Sequence, residues 1–186
     1  MNIREYAREV IAELDRTLGA IAPQDAEHLV DRILCAKTIF LAGAGRSGLA
    51  VRAFAMRLMH MGLGAYVVGE IVTPGMRADD LLVIGSGSGA TASLVAMAEK
   101  AKKIGASVAL VTIFPDSRIG QLADAAVKIP APTPKGEGAP QFASVQPMGS
   151  LFEQSLLIFF DIIVMRLMEK KGLDSKTMFE RHANLE

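Results

Sequence analysis

Glycine and small hydroxyl residues make up most of residues 85–91, which read GSGSGAT. Their serine and threonine hydroxyls can hydrogen-bond to one compact oxyanion, and the glycines let the backbone approach it closely. An apolar run at 81–84 precedes this loop and apolar residues at helical spacing follow it, so the loop joins a buried strand to a helix N-terminus. Helix N-termini attract anions. The pattern therefore predicts a phosphate-binding loop, with these candidate residues: Ser86, Gly87, Ser88, Gly89, Ala90 and Thr91.

The same loop lacks the lysine that binds nucleoside triphosphates. A P-loop places a lysine beside a serine or threonine at the helix start, whereas this chain has Ala90 followed by Thr91. We therefore expect the ligand to be a phosphomonoester. The plainer alternative is a glycine-rich turn with no ligand, and the density of hydroxyl groups favours the phosphate site.

A second glycine loop, GAGRSG at residues 43–48, follows another predicted strand and also opens a helix. It adds Arg46 and Ser47 to the candidate substrate-binding residues. Its glycine spacing also fits the dinucleotide fingerprint, and Glu70 follows at about the place of a ribose-binding acid. A nicotinamide-dependent oxidoreductase is therefore an alternative, although the chain has no room for a second nucleotide-binding half and a substrate domain.

The elements that must hold these loops alternate between strand and helix. Five short apolar runs predict strands at 38–42, 65–68, 81–84, 107–112 and 126–129. We expect an α/β fold, a doubly wound parallel sheet in the flavodoxin-like order 2-1-3-4-5. In that order the first and third strands are neighbours, and their carboxyl ends form the topological switch point. Arg46 and Ser47 would then face Ser86, Ser88 and Thr91 across one crevice.

We expect a single domain spanning residues 1–186. N-terminal helices at 1–36 precede the sheet core at 37–130, and a long helix and tail follow at 150–186. Between them, residues 131–149 are rich in proline and glycine and lack periodic apolar residues. Long irregular loops inside compact domains are uncommon without a function, so we predict a cover over the crevice.

Two residues near the predicted crevice could move a proton. Glu153 lies at the start of the long helix, where it could act as a general base or could form a capping box with Ser150. His182 lies in the polar tail and could act as an acid near pH 7 if the tail docks on a neighbouring subunit. The alternative for His182 is a solvated chain end. No histidine, cysteine or carboxylate pair has metal-ligand spacing, so we expect no metal.

Composition narrows the functional class further. Lys and Arg total 20 and Asp and Glu total 20, so the formal net charge is zero. This balance argues against nucleic-acid and membrane partners. The charged N-terminus has no apolar signal segment, and we expect a cytoplasmic protein.

The one cysteine, Cys35, lies among apolar helical residues and is expected in the core. A hydrophobic content of 51% suggests helix faces buried between subunits.

These motifs resemble the sugar isomerase (SIS) domain family over nearly the whole chain. GAGRSG at 43–48 and GSGSGAT at 85–91 resemble its two phosphosugar-binding loops. QPMGSLFEQ at 146–154 and RHANLE at 181–186 are similar to the 6-phospho-3-hexuloisomerases within it.

The resemblance implies conversion of 3-hexulose 6-phosphate to fructose 6-phosphate through a 2,3-enediol, in the ribulose monophosphate pathway of formaldehyde assimilation or detoxification. It also implies a homotetramer without cofactor. It implies Glu153 as the base, Ser47 and residues 86–91 as substrate-binding, and His182 as an acid reaching a neighbouring site. The alternatives are another phosphosugar isomerase, or a non-catalytic sugar-phosphate sensor, which would not need Glu153.

Overall fold

Five parallel strands form the centre of the fold, and they are ordered β2-β1-β3-β4-β5. A computed structural model describes residues 1–133 and 143–185. The strands are β1 (Ile39–Gly43), β2 (Ala65–Val67), β3 (Leu81–Gly85), β4 (Ser107–Thr112) and β5 (Ala125–Lys128). All four neighbouring pairs run parallel. The predicted fold class and strand order are confirmed.

Helices cover both faces of this sheet, as a doubly wound fold requires. They are α1 (Ile3–Gly19), α2 (Pro23–Cys35), α3 (Gly45–His60), α4 (Ala92–Ile104), α5 (Ser150–Lys171) and α6 (Ser175–Phe179), with a 3-10 turn at Gly120–Leu122. One hydrophobic core joins α2, α3 and α5 to one face. The other core joins α4 to the opposite face. Among the described residues, no helix combines the length and apolar character needed to span a bilayer.

α3 and α5 pack closely against each other. The rings of Phe54 on α3 and Phe160 on α5 stack with centroids 4.3 Å apart and planes 2° from parallel. Both side chains are almost fully buried. The stack therefore ties together the two helices whose first turns reach the same edge of the sheet.

One expectation about the helices is not met. Cys35 is exposed at the last position of α2, so its predicted place in the core is wrong. The buried face of α2 contains Leu29, Val30 and Ile33, and a residue two positions beyond Ile33 points away from that face. On α1, the apolar side chain of Ile3 is exposed and the carboxylate of Glu13 is buried.

Candidate active site

A cavity of about 390 Å³ opens at the carboxyl edge of the sheet, where the first turns of three helices meet. α3, α4 and α5 all begin at this edge. The cavity is lined by Ala44, Gly45, Arg46, Ser47, Gly85, Ser86, Gly87, Ser88, Thr91, Leu94, Ile113, Thr133, Met148, Gly149, Phe152 and Glu153. Both glycine loops thus open into one space.

The register of the sheet explains this convergence. Gly43 at the end of β1 pairs with Gly85 at the end of β3, so the two loops leave the sheet side by side. A Cβ atom on Gly48 would lie 2.7 Å from the carbonyl oxygen of Gly43. Only a residue without a side chain lets α3 start this close to β1. The glycine spacing is therefore needed for packing, whether or not a nucleotide binds.

The first turns of α3 and α4 present a positive electrostatic potential to the cavity. Neither N-cap, Ala44 or Thr91, makes a side-chain hydrogen bond to its own helix, and neither first turn carries an acidic residue. Unpaired backbone N–H groups and the helix dipole both favour an anion at such a position. The edge is suited to a phosphate group.

Within the loop at 85–91, internal hydrogen bonds fix the backbone. The Ser86 hydroxyl accepts from the N–H of Gly89 at 3.2 Å, and the Ser88 hydroxyl accepts from the N–H of Ala90 at 3.3 Å. Gly89 itself adopts a left-handed φ of +58°. Gly89 and Ala90 therefore shape the loop, and in the described structure they do not line the cavity.

Glu153 faces the cavity and is bound to Arg46 there. The Nε of Arg46 lies 3.1 Å from Oε2 of Glu153. A second donor of this guanidinium, Nη1, reaches the hydroxyl of Ser150 at 3.3 Å. The Glu153 side chain is 22% exposed, and that of Arg46 is 59% exposed. A carboxylate and a cation thus stand together beside the predicted phosphate loops.

The capping box considered for Glu153 does not form. The N-cap of α5 is Gly149, and no side chain caps this helix end. The N–H of Ser150 instead donates to the carbonyl oxygen of Pro147 at 3.2 Å. The carboxylate is therefore directed toward Arg46.

His182 lies in a second cavity, of about 400 Å³, away from the lining described above. Its ring stacks on that of His60 with centroids 5.3 Å apart, and on that of Phe179 at 5.7 Å. Arg57 and Asp161 also line this cavity. Within one described chain, then, His182 and Glu153 do not share a cavity.

Most of the predicted site residues line the main cavity. The main cavity brings together Arg46, Ser47, Ser86, Gly87, Ser88, Thr91 and Glu153. Three further lining residues, Thr133, Met148 and Gly149, lie within the predicted cover at 131–149, and Phe152 lies one position before Glu153. None of the four was predicted as a site residue, because their residue types carry no chemical signal. Part of the predicted cover, residues 134–142, lies outside the described residues.

The features that suggested a dinucleotide have other partners here. Glu70 is paired with Arg52, and in the described structure it does not line the cavity.

Within residues 1–133 and 143–185, no group of three or more His, Cys, Asp or Glu side chains is placed to hold a metal ion.

Comparison with known proteins identifies a family and several relatives. The family model described as "SIS domain" matches residues 32–158. The chain is 52% identical over 186 residues to the 3-hexulose-6-phosphate isomerase of Bacillus subtilis, covering 100% of both chains. It is 42% identical over 174 residues to the enzyme of that name from Mycobacterium gastri, covering 94% of this chain and 86% of the relative.

A solved structure gives the same picture. It is the crystal structure of a hypothetical protein from Methanococcus jannaschii, for which a function as 3-hexulose-6-phosphate isomerase was inferred. The two structures align with a TM-score of 0.81 and 34% sequence identity, covering 97% of each chain.

Proposed function

This chain belongs to the SIS domain family, and from that membership we propose that it isomerises 3-hexulose 6-phosphate to fructose 6-phosphate. One observation carries the proposal: Glu153 and both hydroxyl-bearing loops open into one cavity, in a chain that matches an isomerase of this name from end to end. The reaction would belong to the ribulose monophosphate pathway of formaldehyde assimilation or detoxification.

The reaction needs one base that serves two neighbouring carbons. Removal of the proton from C2 forms the C2–C3 double bond, and the C3 carbonyl becomes the oxyanion of a 2,3-enediolate. Return of that proton to the C3 carbon, and transfer of the proton on the C2 oxygen to the C3 oxygen, then leave a carbonyl at C2 and a hydroxyl at C3. A single carboxylate can carry the proton between adjacent carbons. Glu153 is the base in this proposal, because its carboxylate faces the cavity from the first turn of α5.

Substrate binding is assigned to the two loops. Ser47, Ser86, Ser88 and Thr91 supply hydroxyl groups to the phosphate, and the first turns of α3 and α4 supply a favourable dipole. Arg46 carries more N–H donors than its bonds to Glu153 and Ser150 use, so it can bind a phosphate oxygen as well. Gly87, Gly89 and Ala90 contribute the shape of the loop.

The remaining assignments concern assembly. A homotetramer is supported by exposed apolar side chains on α1, α3 and α5: Ile3, Tyr6, Ile11, Leu49, Met56, Met59, Ile162 and Met165. In such an assembly His182 would act as an acid in the site of a neighbouring subunit. We place the enzyme in the cytoplasm, where sugar phosphates are metabolised.

A coupled assay tests the proposal. The protein is supplied with 3-hexulose 6-phosphate, and the fructose 6-phosphate formed is measured with added coupling enzymes that end in a dehydrogenase. The Glu153→Gln variant should lose about a hundredfold to ten-thousandfold in kcat, the usual contribution of a positioned general base. Glu169→Gln, an exposed change at the far end of α5, is the matched control. Activity should be the same with and without a chelator.

Two results would overturn these assignments separately. A wild-type protein that binds fructose 6-phosphate but forms no product would favour the sensor alternative. A Glu153→Gln variant with full turnover would leave the isomerase activity standing and remove Glu153 as its base.

A further inference from the structure

α1 carries a buried carboxylate that the proposed reaction does not use. Glu13 is 3% exposed. Its Oε2 accepts from the hydroxyl of Ser144 at 2.7 Å and from the side-chain amide of Gln146 at 2.9 Å. Its Oε1 accepts from the backbone N–H of Val145 at 2.7 Å. Three successive residues, more than a hundred positions away in sequence, thus donate to one side chain.

This carboxylate is charged near neutral pH. Burial alone would raise the pKa of Glu13, but the hydrogen bonds from Gln146, Ser144 and Val145 together with the nearby charge of Arg16 outweigh burial and lower the pKa. Hydrogen bonds to an ionised acceptor are stronger than those between neutral groups. The attachment of residues 144–146 to α1 is therefore firm.

The attached segment runs directly into the active-site wall. Two residues after Gln146, Met148 and then Gly149 line the main cavity, and the N–H of Glu153 donates to the carbonyl oxygen of Gly149 at 3.0 Å. Met148 has a φ of +57°, the one positive φ outside glycine in the described structure. The left-handed backbone conformation is unfavourable for a residue other than glycine, and it persists only where surrounding contacts hold it.

We propose that Glu13 is a positioning residue for the isomerisation. By binding residues 144–146 it holds Met148 and Gly149 in the cavity wall and sets the start of α5, and with it the Glu153 carboxylate. This inference rests on the proposed function, because it assigns Glu13 an effect on that reaction. α1 would then serve catalysis from outside the cavity.

A purely structural role predicts different kinetics. The two phosphate loops follow β1 and β3, and none of the three residues that Glu13 binds belongs to them. Loss of Glu13 should therefore leave the two phosphate loops intact while Glu153 loses its position. Small displacements of a catalytic group are costly for the chemical step and much less so for binding. A residue that only stabilises the fold would lower the melting temperature without this split.

The test compares Glu13→Leu with Glu9→Leu, the same change at an exposed position of α1. In Glu13→Leu, kcat should fall by about tenfold to a hundredfold, while KM stays within about threefold of wild type. Amide exchange at residues 145–149 should accelerate about tenfold. Glu13→Gln keeps one acceptor oxygen and should lose less than Glu13→Leu. Glu9→Leu should match wild type in every measurement.

Several outcomes would overturn the inference. The first is a folded Glu13→Leu variant with the kcat of wild type, and the second is a Glu13→Leu variant in which only KM changes. The third is unchanged amide exchange at residues 145–149 in Glu13→Leu. If Glu13→Leu does not fold, the combined Ser144→Ala and Gln146→Ala variant tests the same bonds from the other side. It should show the same fall in kcat, and wild-type kcat there would refute the role. The exchange measurement needs no turnover, so it still tests whether Glu13 holds residues 145–149 if wild type proves inactive on 3-hexulose 6-phosphate and the proposed function itself fails.

Discussion

Substitution of Gly89 by alanine tests how the proposed phosphate loop at 85–91 is built. Gly89 has a φ of +58°, and a Cβ atom there would lie 1.9 Å from Oγ and 2.7 Å from Cβ of Ser117. The N–H of Ile119 also donates to the carbonyl oxygen of Gly89 at 3.0 Å, so the segment that carries Ser117 is bonded to the loop. The new methyl group therefore meets a neighbour that cannot simply move away.

Two costs add in this variant. A left-handed conformation costs an ordinary L-residue about 1–2 kcal/mol. Forcing an extra methyl group into occupied space typically costs about 1–3 kcal/mol more. The expected loss in free energy of unfolding for Gly89→Ala is therefore about 2–5 kcal/mol.

Urea unfolding at one fixed protein concentration measures this loss, with Ser117→Gly and the Gly89→Ala/Ser117→Gly double variant alongside. Removing the Ser117 side chain relieves the clash but not the backbone strain. Relative to Ser117→Gly, the double variant should therefore lose only about 1–2 kcal/mol. A Gly89→Ala loss below about 0.5 kcal/mol, or an equal loss with and without Ser117, would refute the reasoning.

Two further predictions concern stability. Burial, with the nearby Arg57 and His182, lowers the pKa of His60, so the unfolded chain binds a proton at His60 more readily than the folded chain. The free energy of unfolding should therefore be fully present above about pH 6.5 and fall below it. Urea unfolding across that range should show a weaker dependence on pH for His60→Phe. The Asp124 carboxylate accepts hydrogen bonds from Lys102 Nζ at 2.7 Å and from the N–H of Val108 at 2.8 Å. In thermal unfolding, Asp124→Ala should lower the free energy of unfolding by about 1–3 kcal/mol. Asp124→Asn should lower it less, because the amide keeps an acceptor oxygen.

Strong periodic patterns made the scaffold predictable. The runs that form β1 and β3 are apolar throughout and end in glycine, and that was enough to locate both strands and the crevice between their loops. The long helix predicted from residue 150 is also present, as α5 (Ser150–Lys171), and Gly172 follows its last residue. Local signals of this kind do not depend on distant parts of the chain.

The features that the sequence did not reveal depend on distant contacts. Nothing near Glu13 indicates that its partners lie at 144–146, and a glutamate beside an apolar stripe is normally solvated. Ser150 and Glu153 have capping-box spacing, but the N-cap of α5 is Gly149, which follows the left-handed Met148. The stack of His182 on His60 likewise joins two segments that share no sequence pattern.

The aromatic stack of Phe54 on Phe160 bears on any attempt to redesign this protein for another sugar. Phe54 lies on the helix that carries Arg46 and Ser47, and Phe160 lies on the helix that carries Glu153. A change to either ring is therefore expected to alter the proposed substrate-binding residues and the proposed base together. Thr133 lines the cavity without belonging to that helix pair. Mutant libraries for new selectivity are best aimed at Thr133, with both phenylalanines left unchanged.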